Sequence, residues 1–202
     1  MDYLTLFGDS DRFSGGLFTL VAYRDGGHDI RFFSGADYMM VFCLQGSIRF
    51  RMKYEQSTLE AGQLVVVRGS KIEHCACLPG TVLFKYAIMD RLSEYMDKCT
   101  KAFQTDMLSP IHILPPLAVW LDNFIRQLIR DSDEPEHSYA MQRRELARLL
   151  LAYPHRQLEE IFAPLFACSR QCEFTGTCIF HDYEPGEKNE SVAVAELNVH
   201  GL

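Results

Sequence analysis

A strict alternation of polar and apolar side chains between Ser47 and Tyr54 constrains the fold more than any other feature of this chain. The apolar positions are Ile48, Phe50, Met52 and Tyr54, and the positions between them are Ser47, Arg49, Arg51 and Lys53. A period of two is typical of a β-strand that has one face on a core and the other in water. The segment is therefore predicted to be a half-buried strand.

Three more segments with strand character follow at similar spacing. They are Leu59–Val67, Ile72–Cys77 and Val82–Ile88, and turns that contain Gly or Pro separate them. Short strands at even intervals, divided by such turns, indicate an all-β sandwich or a small barrel. Within Ile72–Cys77, the i, i+2 spacing puts Cys75 and Cys77 on one face of the strand, and both are expected to be small buried thiols.

The period changes after about residue 90, where helical spacing replaces alternation. The strongest helix has an apolar stripe with the spacing i, i+3, i+4, i+7, formed by Leu117, Trp120, Leu121, Phe124, Ile125, Leu128 and Ile129. Further amphipathic segments are predicted at 90–103, 137–153 and 158–165. The stripe must be covered, either by the rest of the same chain or by a second copy of it.

Composition excludes several classes of protein. A chain of 202 residues with 48% hydrophobic residues is long enough to fold around a core. It has no apolar run long enough to cross a bilayer and no signal-peptide pattern, so we expect it in the cytosol. The net charge of −7 repels phosphate backbones unless basic residues are concentrated in one place. The seven cysteines are expected to be thiols rather than disulfides.

The segments 42–47, 59–67 and 73–74 together resemble the cupin-type sensor region of AraC-type transcription regulators. The helical segment 143–165 is especially similar to a branch of this family found in Bacteroides-type bacteria. The segment 189–202 resembles the first helix and turn of a helix-turn-helix that stops before its recognition helix. The resemblance implies an α+β chain, with a cupin-like jelly-roll barrel (1–90), a helical dimerisation region (91–184) and the start of a truncated DNA-binding domain (185–202).

The same resemblance implies a function without catalysis and without a cofactor. A small effector, such as a sugar or a carboxylate, would bind in the barrel and control a DNA-binding domain that this sequence lacks. The candidate ligand residues are Arg31, Tyr38, Phe42, His74, Phe84 and Tyr86. The resemblance also favours a homodimer, whose interface is predicted at Leu117, Trp120, Leu121, Phe124 and Leu128.

Two other functions remain open from the residues alone. A metal-dependent cupin enzyme requires a cluster of His and Glu ligands, but the stretch 38–46 contains no His. A weaker alternative metal site consists of Cys168, Cys172, Cys178 and His181. The third hypothesis is a ligand-free scaffold whose barrel is filled by its own aromatic side chains and whose helices bind a partner. An apolar interior would favour this scaffold over a sensor.

Overall fold

A computed structural model of the chain describes residues 2–15, 17–33, 38–53, 55–88, 107, 109–131 and 140–154. All of them belong to one compact unit of the chain. The predicted helices at 90–103 and 158–165, the four residues of the weaker metal site and the helix-turn-helix segment lie outside the described residues. The boundaries proposed for the three domains therefore remain predictions.

Within the described residues, nine strands form two antiparallel sheets. The strands are β1 (Arg12–Gly15), β2 (Phe18–Tyr23), β3 (Tyr38–Gln45), β4 (Ser47–Met52), β5 (Gln56–Glu60), β6 (Gln63–Arg68), β7 (Ile72–Cys77), β8 (Thr81–Ile88) and β9 (Ile111–His112). The large sheet has the order β1-β2-β8-β3-β6-β9, and the small sheet has the order β5-β4-β7. Short 3₁₀ helices lie at Tyr3–Leu6, Ile30–Phe33 and Gly69–Lys71. The predicted strands are thus confirmed, with the segment 59–67 divided by a turn at Ala61-Gly62.

The main core lies between the two sheets. It combines inward-facing residues of the large sheet, such as Val41 and Leu83, with those of the small sheet, such as Phe50 and Cys75. In β4 the burial alternates as the sequence predicts, with Ile48, Phe50 and Met52 buried and Arg49 and Arg51 exposed. Cys75 and Cys77 both enter this core, as their spacing predicts. No ladder joins the two sheets among the described strands, so the barrel expected from the resemblance is present only as two facing sheets.

Gly46 makes the tight turn that sends the chain from the large sheet into the small one. Its φ of +73° lies in the left-handed region that favours glycine, and a Cβ there would lie 2.6 Å from the Thr81 hydroxyl oxygen. That hydroxyl accepts a hydrogen bond from the Ser47 amide (3.2 Å) and donates to the Leu78 carbonyl (2.7 Å). The close approach of the two chain segments therefore requires a residue without a side chain.

In the described ranges after the strands lie the helices α1 (Pro115–Arg130) and α2 (Ala140–Leu151). Phe124 of α1 packs against Phe18 and Phe84 on the face of the large sheet that points away from the main core, with ring centroids 4.6 and 5.9 Å apart. The α2 helix lies beside α1, and Gln142 donates a hydrogen bond to Gln127. The layers are therefore small sheet, main core, large sheet and helices.

The apolar stripe of α1 is covered within a single chain. Leu117, Leu121, Phe124 and Leu128 are each at most 2% exposed, and Trp120 is half-buried and stacks on Phe124. The interpretation of the stripe as an internal core therefore accounts for it. The predicted dimer interface needs correction, because these side chains do not form an open surface for a second copy.

Candidate ligand site between the sheets

The six candidate ligand residues do not line the space between the sheets. Even-numbered residues of β3 and β8 alternate with core residues, so Tyr38, Phe42, Phe84 and Tyr86 lie on the opposite face of the large sheet. This is the face that α1 covers, and the ring contacts between Phe42 and Phe84 belong to it. Both faces of these strands are apolar, so their alternation did not indicate which face points between the sheets. The expectation that these four side chains line the cavity is therefore wrong.

The other two candidates lie on the surface. Arg31 is exposed on the short helix Ile30–Phe33. His74 is exposed on the outer face of the small sheet, opposite Arg51 of β4. The expectation that His74 would face a pocket or the core is therefore corrected.

Lys85 is the one charged residue that is buried in the part of the chain described here, with 6% of its surface exposed. It lies on β8 opposite Thr19 of β2 and Val41 of β3. Val41 belongs to the core between the sheets, and directly opposed residues share a face, so the Lys85 side chain also enters this core. Burying an ammonium group is costly unless it has polar partners.

A loop after β2 brings a polar partner to Lys85. The Lys85 ammonium donates a hydrogen bond to the Phe32 carbonyl at 2.6 Å, and its nitrogen lies 5.1 Å from the centre of the Phe32 ring. Phe32 and Phe33 are at most 2% exposed and form part of the main core. The short helix Ile30–Phe33 therefore covers the site and contributes both apolar and polar contacts.

Asp29 holds this covering segment in place. Its carboxylate accepts a hydrogen bond from the Phe32 amide (3.2 Å) and another from the Tyr23 hydroxyl (3.1 Å). Burial, with the nearby Cys77 and Asp29, raises the pKa of Tyr23, so this phenol remains a donor. Asp29 thus connects the end of β2 to the residue whose carbonyl binds Lys85.

Lys85 has a perturbed proton affinity. Burial lowers the pKa of Lys85 to about 8, and the positive charge of Arg12 lowers it further, while Asp29 opposes the shift. The amine can therefore exchange its proton near neutral pH. It can donate hydrogen bonds to a carboxylate or a carbonyl oxygen, and a bound anion would favour its charged form.

The core between the sheets also contains thiol groups. Cys43, Cys75 and Cys77 are buried and free. Burial raises the pKa of Cys43 and Cys77 to about 12, so both are protonated and unreactive at neutral pH. The described residues contain no group of three or more His, Cys, Asp or Glu side chains placed to hold a metal ion.

Lys85, Tyr23 and Asp29 are not singled out in the sequence analysis. Lys85 contacts Phe32, which is far from it in the chain, and Tyr23 and Asp29 contact each other across a loop that has no regular period. A signal for Lys85 was nevertheless present. It is the single charged residue in the segment Thr81–Ile88, whose other residues are apolar apart from Thr81. A lone charge within such a strand is uncommon and indicates either an edge position or a buried functional group.

No family model and no curated protein matches the chain. An apo ToxT variant from Vibrio cholerae is similar at 13% identity and a TM-score of 0.38, over 85% of this chain and 62% of that one. The AraC-like transcriptional activator CuxR is similar at 11% identity and a TM-score of 0.39, over 79% of this chain and 54% of that one.

Cupin proteins also appear among the similar structures. A cupin-2 domain containing protein from Shewanella frigidimarina aligns at 13% identity and a TM-score of 0.26, over 35% of this chain and 69% of that one. The chain spans less than two thirds of the length of the two regulators.

None of the helices in the described ranges is long and apolar enough to cross a membrane. Alignments at this level of identity and superposition do not assign a family to the chain.

Proposed function

We propose that the chain is the effector-sensing region of an AraC-type transcription regulator. In this proposal a small apolar molecule with an anionic group binds between the two sheets, and its anion contacts Lys85. The observation that carries the proposal is Lys85, the one buried charge among the described residues, which is 6% exposed and faces a mainly apolar core. Its ammonium contacts the Phe32 carbonyl of the short helix that covers the site. Buried charges at such positions are frequently functional.

The charge of the site favours a carboxylate over a neutral sugar. Lys85 supplies an ammonium group, and its neighbours in the core are apolar side chains such as Val41, Phe33 and Leu83. A sugar would require many hydrogen-bonding partners, whereas the described residues of the core between the sheets offer few. Of the two effectors that the resemblance implies, the carboxylate is therefore the better match.

The remaining parts of the proposal rest on the sequence resemblance. The region acts without catalysis and without a cofactor, in the cytosol, and reaches DNA through a domain that follows it in the full regulator. Ligand binding shifts the chain between two arrangements of the helices, because the ligand has different affinities for them. The protein forms a homodimer through a surface other than the buried stripe of α1.

A thermal-shift titration with carboxylates of matched chain length tests the proposal. Octanoate and decanoate are compared with octanol and decanol, using the wild type, Lys85→Met and the control Lys71→Met. Lys71 is exposed on the short helix Gly69–Lys71, so its removal leaves the core intact. We expect the acids to stabilise the wild type and Lys71→Met more than the alcohols do, and this difference to disappear in Lys85→Met.

The scaffold hypothesis makes the opposite prediction for the same titration. It is favoured by one observation, namely that Phe32, Phe33, Phe50 and Met39 are all at most 2% exposed and fill the space between the sheets. If neither acids nor alcohols stabilise the wild type, the core is filled by the chain itself. That result would contradict the sensor.

A further inference from the structure

His28 and His74 lie side by side on the outer surface of the small sheet. His74 belongs to β7, and His28 belongs to the loop that follows β2. Their ring centroids are 4.9 Å apart with an interplanar angle of 57°, and both residues are exposed. Two imidazoles at this distance can place one nitrogen each on a single small ligand between or above them.

The hydrogen bond of His28 determines which of its nitrogens is available. Its Nδ1 lies 2.8 Å from the Cys75 carbonyl oxygen. A carbonyl oxygen can only accept, so Nδ1 carries the proton and, in the neutral ring, Nε2 keeps its lone pair. Histidines that bind metals usually donate their other nitrogen to a carbonyl or carboxylate in this way, because the bond orients the ring.

The backbone around His28 is held firmly before any ligand binds. Gly27 and Cys77 exchange two backbone hydrogen bonds, of 3.1 and 2.8 Å. Gly26 has a φ of +76°, and a Cβ at this position would lie 2.8 Å from the Cys77 carbonyl oxygen. The loop is thus fixed to β7 on the N-terminal side of His28, and little ordering is required when a ligand joins the two rings.

We propose that His28 and His74 bind one divalent transition-metal ion of the kind that imidazole prefers, such as Ni²⁺ or Zn²⁺. The described residues provide no third ligand of the usual type, so water completes the coordination shell. The positive charge of Arg51, which lies opposite His74, repels a cation, whereas the negative charge of Glu73, adjacent to His74 in the chain, attracts one. Hard cations such as Mg²⁺, which prefer oxygen ligands, would not bind.

A metal at this site would link the covering loop to β7 by a side-chain bridge. The loop continues from His28 to Asp29 and Phe32, and the Phe32 carbonyl binds Lys85. Bound metal would therefore stabilise the segment that closes the core at Lys85. The metal site itself does not depend on the sensor function.

Titration calorimetry with Ni²⁺ tests the proposal on the full chain and on three variants, His28→Ala, His74→Ala and His112→Ala. His112 is exposed on β9 and has no imidazole beside it among the described residues, so it is the matched control. We expect each of the first two variants to lose one equivalent of Ni²⁺, or to bind it at least tenfold more weakly. His112→Ala is expected to bind Ni²⁺ as the wild type does, and Mg²⁺ is expected to give no heat.

Histidine ring signals in NMR provide a second measurement that is independent of other metal ligands in the chain. Addition of Zn²⁺ should shift the ring resonances of His28 and His74 together and leave those of His112 unchanged. Nickel binding that is unchanged in both His28→Ala and His74→Ala would overturn the proposal, as would the absence of any binding. Loss of binding in only one of these two variants would also overturn it, because the site requires both rings.

Discussion

At the scale of residues, Lys85 is the one buried charge in the described part of the chain. Lys85 enters an apolar core, where its ammonium contacts the Phe32 carbonyl and the Phe32 ring. The pKa of Lys85 is lowered to about 8 from its ordinary value of 10.5, chiefly by burial. The folded state therefore holds this proton less tightly than the unfolded state, which makes stability depend on pH.

The pH dependence of stability can be predicted by comparing the wild type with Lys85→Met. Between pH 8 and 10.5 the unfolded wild type binds more protons at Lys85 than the folded protein does. The free energy of unfolding of the wild type should therefore rise relative to that of the variant as pH increases through this window, by up to about 3 kcal/mol. Below pH 8 the difference between them should be constant.

Urea unfolding at pH 7 and at pH 10 measures this effect. The buried tyrosines and cysteines also titrate at high pH, but they are present in both proteins, so their contribution cancels in the difference. A difference in unfolding free energy that is the same at both pH values would show that Lys85 is not perturbed in the folded protein.

The α1 helix shows at the scale of elements how an amphipathic segment is used. Its apolar side packs on the large sheet through Phe124, and Leu121 and Leu128 are buried beside it. Periodicity predicted the helix from Leu117 to Ile129, and the structure extends it to Pro115–Arg130. The periodicity did not show whether the surface that covers the apolar stripe belongs to the same chain or to a second copy, because either surface would bury the same residues.

Truncation of the stripe should destabilise the chain. Leu121→Ala removes a side chain that is 1% exposed, and we expect a loss of about 2–5 kcal/mol in the free energy of unfolding, because a cavity remains. The control Val119→Ala, on the same helix and 62% exposed, should change it by less than about 0.5 kcal/mol. Equal effects of the two substitutions in urea unfolding would contradict the packing of α1 on the sheet.

At the scale of the whole molecule, the described residues cover the large sheet on both faces. The small sheet covers one face, and α1 covers the other, where Phe18, Phe42 and Phe84 are fully buried. Without α1 this aromatic surface would be exposed to water. The sheets and the helices should therefore unfold in one transition rather than as separate units.

Two probes can test this cooperativity in increasing urea. Fluorescence of Trp120, the only tryptophan, reports on α1, and hydrogen exchange of the β3 peptide followed by mass spectrometry reports on the large sheet. We expect the same midpoint from both. A lower midpoint for Trp120 would mean that α1 separates from a sheet that stays folded.

The sequence by itself determined the strands β4 to β8, the helices α1 and α2 and the two faces of β4, because these follow from periods of two and 3.6 that are local along the chain. It did not indicate β1, β2 or β9. It also determined that Cys75 and Cys77 share one buried face. In β4 the charged residues mark the outer face, so the prediction of orientation could succeed there.

Only the tertiary structure decided which face of β3 and β8 points between the sheets. Both faces of these strands are buried, so the alternation does not show which face points between the sheets. The structure places Lys85, and not Phe84, in the core between the sheets. The loop that brings Asp29 and Phe32 to Lys85 is distant from it in the chain. Burial between layers is a property of long-range packing, and a local pattern cannot encode which layer lies on which side.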